Sequence, residues 1–146
     1  MNIVSSLALV VTVGWISICA AAPAENEVVN VPLSATQYNA GHIAHAMLAP
    51  MGRDTDVSIL IGGVPSGTVL PPRIYTYIYP GKCENLGPKP AFELNQIVTT
   101  EHMSPPWRLS KNAPVALSEL RSGGYAIVLR AGPEDGGNNL FCGNII

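Results

Sequence analysis

An all-β sandwich with long loops and one short helical turn is the fold class the sequence predicts. Two observations carry it. Apolar residues recur at alternate positions over several short runs, which is the period of a half-buried strand. Stretches rich in Gly, Pro and Asn separate those runs at short intervals, as turns between strands do. Two cysteines, Cys83 and Cys142, close the frame.

The compartment is read from the first residues. Positions 3–22 form an almost uninterrupted apolar run that ends in Ala20-Ala21-Ala22-Pro23-Ala24, the pattern of a secretory signal peptide. We expect a signal over 1–24 and a single domain over 25–146, periplasmic or secreted. No Lys or Arg precedes Arg53, and the run is long enough to span a bilayer if it stays uncleaved. The membrane is therefore a partner only in that event. A lipoprotein reading through Cys19 is disfavoured by Ile18, where a small residue is expected.

Eight basic and ten acidic side chains give a net charge of −2, and no basic run is present. Nucleic acid is not an expected partner. With Cys19 in the leader, Cys83 and Cys142 remain as an even pair in an exported chain, where a disulfide is favoured over free or metal-bound thiols.

Taken in order, 28–33 reads as a first strand that Pro32 confines to an edge. The run from Ala44 to Ala49 has helix formers, but the turn Pro50-Met51-Gly52-Arg53-Asp54 leads straight into a strand at 56–61. A hairpin is the better reading, with Ala44, Ala46 and Leu48 inward and His45 and Met47 outward. In the next strand Val57, Ile59 and Ile61 share one face, with Ser58 on the other. Within 73–79, Ile74 and Ile78 point inward and Tyr75, Tyr77 and Tyr79 form a ladder on the other face, a packing or edge feature by default and a binding platform otherwise.

From 84 to 90 the composition is that of a loop, and 91–98 holds at most a short strand. Pro105, Pro106 and Pro114 argue against a central strand over 101–114, leaving Trp107 to plug a non-repetitive loop onto the sandwich. One helical turn at 117–121 stops at Gly123-Gly124. Residues 125–130 make an internal strand and 139–146 the last one. No nucleophile elbow, phosphate loop or paired-histidine protease motif occurs.

Five stretches carry a resemblance: Gly41 onward to Leu48, 57–67, 77–87 with Cys83 and Asn85-Leu86-Gly87, Gly123-Gly124-Tyr125-Ala126-Ile127 onward to Arg130, and Phe141-Cys142-Gly143-Asn144-Ile145. Together they resemble the copper,zinc superoxide dismutase-like β-sandwich superfamily, and more closely its small exported bacterial members. The resemblance implies a Greek-key, immunoglobulin-like sandwich. It also implies that the family's His-x-His copper ligands are Tyr77 and Tyr79 here, that a later ligating histidine is Arg130, and that the arginine guiding the anionic substrate is Asn139. Copper redox chemistry needs several imidazoles around one ion, and none stands at these positions.

Three histidines lie elsewhere. On a strand His42 and His45 would point to opposite faces, and His102 belongs to another segment. Glu134, Asp135, Asn138 and Asn139 lack the spacing of a calcium loop and read as a solvated turn. The expected function is thus a non-catalytic envelope or extracellular protein, without metal or cofactor. It would bind a small molecule or an unidentified partner through Tyr75, Tyr77, Tyr79 and Arg130. The alternative is a residual metal-dependent superoxide dismutase, or copper- or zinc-binding protein, that uses His42, His45 or His102 with carboxylates.

Overall fold

The computed structural model describes residues 27–146, together with 11, 13–15 and 17–19. The expected signal segment lies for the greater part outside them, its cleavage bond included. Among the described residues no helix is long and apolar enough to cross a membrane.

Strands β1 (Val29–Ala35), β2 (Ala44–Met51) and β3 (Asp54–Ile61) are consecutive antiparallel neighbours. The β2–β3 hairpin turns at Gly52, whose φ of 63° suits a residue without a Cβ. The chain then crosses to the far end of the sheet as β4 (Ile74–Lys82), with the short β5 (Asn85–Leu86) and β6 (Phe92–Glu93) both paired to it. It returns to β3 as β7 (Trp107–Ala113). One helical turn, α1 (Leu117–Ser122), leads to β8 (Tyr125–Ala131), which lies between β4 and β9 (Asn139–Asn144). Finally β9 pairs with β1 at Ser34 and Ala35.

The strand path is therefore β5-β4-β8-β9-β1-β2-β3-β7, all antiparallel. The sheet curls so that its inward residues share one core. Val31, Leu48, Val57 and Ile61 come from one side, and Ile74, Ile78, Ile127 and Leu129 from the other, with Phe141 among them. Strand alternation does this directly: β2 buries Ala44, Ala46 and Leu48 while exposing His45 and Met47, as the sequence predicts. The same holds for Val57, Ile59 and Ile61 on β3, and for Ile74 and Ile78 on β4. Leu120 of α1 is fully buried, and the helix ends at Gly123.

Two expectations are corrected. Residues 101–114 are not wholly non-repetitive: from Trp107 to Ala113 every second side chain is buried, and the stretch pairs with β3 over its whole length. Trp107 opens this strand facing the core rather than plugging a loop. Lys111 hid the pattern, because it occupies an inward position between Leu109 and Ala113. The prolines are compatible because Pro105, Pro106 and Pro114 flank the strand, and β7 ends the strand path. The second correction concerns Pro32. It stands in a strand with neighbours on both sides, not at an edge. The ladder to β9 begins only at Ser34, so the missing N–H of Pro32 falls where β1 pairs with β2 alone.

Gly143 sets how closely β9 approaches β1. A Cβ there would stand 2.6 Å from the Pro32 carbonyl oxygen, 2.6 Å from Leu33 Cδ2 and 2.9 Å from Val31 Cγ1. Backbone on one side and a packed core on the other leave little room to yield. Gly143→Ala is expected to destabilise the protein by about 1–3 kcal/mol, measured by denaturant unfolding. An unchanged midpoint would show that β1 moves freely against β9.

Candidate functional site

The outer face of β4, β8 and β9 is built in cross-strand rows. Tyr75 stands opposite Arg130, which stands opposite Asn139; Tyr77 lies in a row with Val128 and Cys142; Tyr79 lies in a row with Ala126 and Asn144. Period-2 alternation puts all three tyrosines on this face, as the sequence predicts.

Arg130 binds the rows together. Its Cζ lies 4.5 Å from the centre of the Tyr77 ring, its Nη2 donates to Tyr79 Oη at 2.9 Å, and its Nε donates to Asn139 Oδ1 at 2.8 Å. The side chain thus runs along the face across Tyr77 to reach Tyr79. The Tyr77 and Tyr79 rings are tilted against each other with centroids 6.2 Å apart, a favourable aromatic geometry. Beneath this layer Ala126 and Val128 are fully buried although they point away from the core. Tyr75 flanks Arg130 as its cross-strand neighbour, outside the ring pair.

Arg130 is half-buried, and among the described residues no carboxylate forms a salt bridge with it. Glu93 stands on β6 opposite Tyr77 but is exposed, with no ion pair to the guanidinium. The cation is held by a ring face and by two neutral acceptors.

A bulge sets the third member of the cluster. Leu129 opposes Phe141, yet Arg130 opposes Asn139, so Leu140 is the extra residue on β9. Leu140 is buried at 1% exposure. The Asn139 and Leu140 carbonyls accept from the hydroxyl and the backbone N–H of Thr36. Asn139 is the member the residue pattern alone did not nominate for binding. Its only signal was its place three residues before Cys142.

Cys83 and Cys142 are bonded, with Cα atoms 5.9 Å apart. Since Cys83 follows β4 and Cys142 lies on β9, the disulfide joins the strands that flank β8 and arches over it. The Cys83 N–H donates to Asn144 Oδ1 at 2.8 Å, which fixes the same crossing a second time.

The other candidate ligands are not brought together. The His42 ring packs where a Cβ on Gly63 would stand, and it precedes β2 rather than lying on it. His102 is exposed in the connection before β7, with a φ of 72°. His45 lines an open groove of about 270 Å3 on the outer face of β2, β3 and β7, with Glu101 and Arg108 among its neighbours. Glu134 pairs with Arg73 at 3.6 Å and Asp135 Oδ1 accepts the Val69 N–H at 3.0 Å. Among the described residues no group of three or more His, Cys, Asp or Glu side chains is placed to hold a metal ion.

No protein-family model matches the chain, and neither a curated protein nor a solved structure matches it.

Proposed function

We propose that the chain is an exported, non-catalytic Greek-key sandwich of the copper,zinc superoxide dismutase type, and that its tyrosine–arginine face holds a small molecule or protein partner in the envelope or outside the cell. The strand path supports this topology, since β3 and β7 pair at one end of the sheet while β4 and β8 pair at the other. The disulfide supports an oxidising compartment.

One observation carries the non-catalytic reading. At the positions where the resemblance implies copper ligands, Tyr77, Tyr79 and Arg130 are bonded to one another, so the fold supplies its own fixed cation there. A guanidinium cannot ligate a metal or cycle its charge. A binding role needs neither.

Metal analysis after growth with copper and zinc is the test. The purified protein should carry substoichiometric copper after dialysis and should not accelerate superoxide decay. Stoichiometric retained copper with scavenging activity would overturn the reading in favour of a residual dismutase built on His42, His45 or His102.

A further inference from the structure

We infer that Arg130, Tyr79 and Asn139 form a docking point for a small oxyanion, the carboxylate or phosphate group of the ligand. The inference rests on the proposed binding role of this face and assigns its chemistry.

Hydrogen-bond accounting carries the argument. Arg130 has only donors, so its bonds to Tyr79 Oη and Asn139 Oδ1 engage the acceptor atoms of both partners. What each residue still offers is hydrogen: the Arg130 Nη1 groups, the Tyr79 O–H and the Asn139 Nδ2 amide. Three side chains from β4, β8 and β9 thus present donors around one positive charge. That charge has no carboxylate partner among the described residues. A half-buried cation ringed by spare donors is complementary to an oxyanion, whose oxygens accept several charge-assisted bonds. A cationic ligand would meet repulsion from Arg130. A purely apolar one would leave the donors unpaired.

The cluster is also preorganised. The Tyr77 ring under the guanidinium and the bulge behind Asn139 fix both groups before any ligand arrives, so less ordering remains to be done on binding.

Titration of the purified protein with inorganic phosphate and, separately, with acetate, at constant ionic strength set by chloride, tests this. The Asn139 side-chain amide resonance reports the site by NMR in the parent and in every variant. Saturable binding of at least one anion is expected, with a shift of that resonance. Arg130→Gln should weaken it about ten- to a hundredfold and Tyr79→Phe about three- to tenfold. Arg108→Gln, on the outer face of β7 at the far end of the strand path, should leave it unchanged. If Arg130→Gln does not fold, Tyr79→Phe decides. Absence of saturation with both anions, or equal weakening by Arg108→Gln and the cluster variants, overturns the oxyanion site. A protein that is free of copper yet indifferent to both anions would overturn this inference and leave the non-catalytic reading standing.

Discussion

Replacing Cys83 and Cys142 together with serine is expected to lower the free energy of unfolding by about 4 kcal/mol, the chain-entropy value for closing a loop of this size. The bond joins positions 59 apart, and the enclosed segment contains β5 to β8 with α1. Without it the unfolded chain explores far more conformations, while the native strands keep their ladders. The loss should therefore be accompanied by a larger dependence on denaturant, because the uncrosslinked unfolded state exposes more surface. Urea unfolding of the oxidised protein and the double serine variant measures both quantities. Equal midpoints would mean that the ladders and the Asn144 bond alone hold the crossing over β8. A further consequence is local: with the arch gone, Ala126 and Val128 lose cover, and proteolysis should find the segment after β4.

The second large effect concerns Lys111. It is only 6% exposed, on the inward face of β7 opposite Val57, and its ammonium donates to the Ile97 carbonyl. No carboxylate pairs with it among the described residues, and burial pushes its pKa from 10.5 down to about 8. A depressed lysine pKa means that the folded state disfavours the charged form. Between about pH 8 and 10.5 the unfolded chain holds more proton at this site than the native one, so this group's contribution to stability rises with pH there. Below that window the charge is a standing penalty, on the order of 3 kcal/mol at most.

Lys111→Met removes the penalty and also the bond to Ile97, which offsets about 1 kcal/mol. The variant should be more stable than the parent by roughly 2 kcal/mol at pH 7. The difference should shrink as pH rises through the window and vanish or reverse near 10.5. Unfolding free energies of the two proteins from pH 7 upward supply the comparison, and other titrating groups cancel in the difference. Parallel curves would show that water reaches the ammonium freely. The bond to the Ile97 carbonyl ties the connection before β7 to the strand.

Much of the fold was legible because β2, β3, β4 and β8 alternate cleanly or run apolar, and alternation is a direct consequence of the strand period. The strand that was missed, β7, has a charged residue inside and prolines at both ends. Composition therefore argued against it, while the pairing with β3 decided for it. Pro32 was misplaced for a related reason. Whether a proline breaks a ladder depends on where the neighbouring strand begins, and β9 is more than a hundred residues away in the chain.

The tyrosine face was legible as a face, since β4 alone determines it. The cluster was not, because it depends on cross-strand partners. Tyr79 meets Arg130 only through the β4–β8 register, and Asn139 meets Arg130 only through the irregularity in β9.

That irregularity decides which chemistry the outer face receives. If β9 paired regularly through this point instead of bulging, Leu140 would stand beside Arg130 and Asn139 would turn toward the core. A hydrocarbon would then stand where an amide now receives the guanidinium, and an amide would be sent into the core. The polar corner and the apolar interior are thus separated by a single count along the chain.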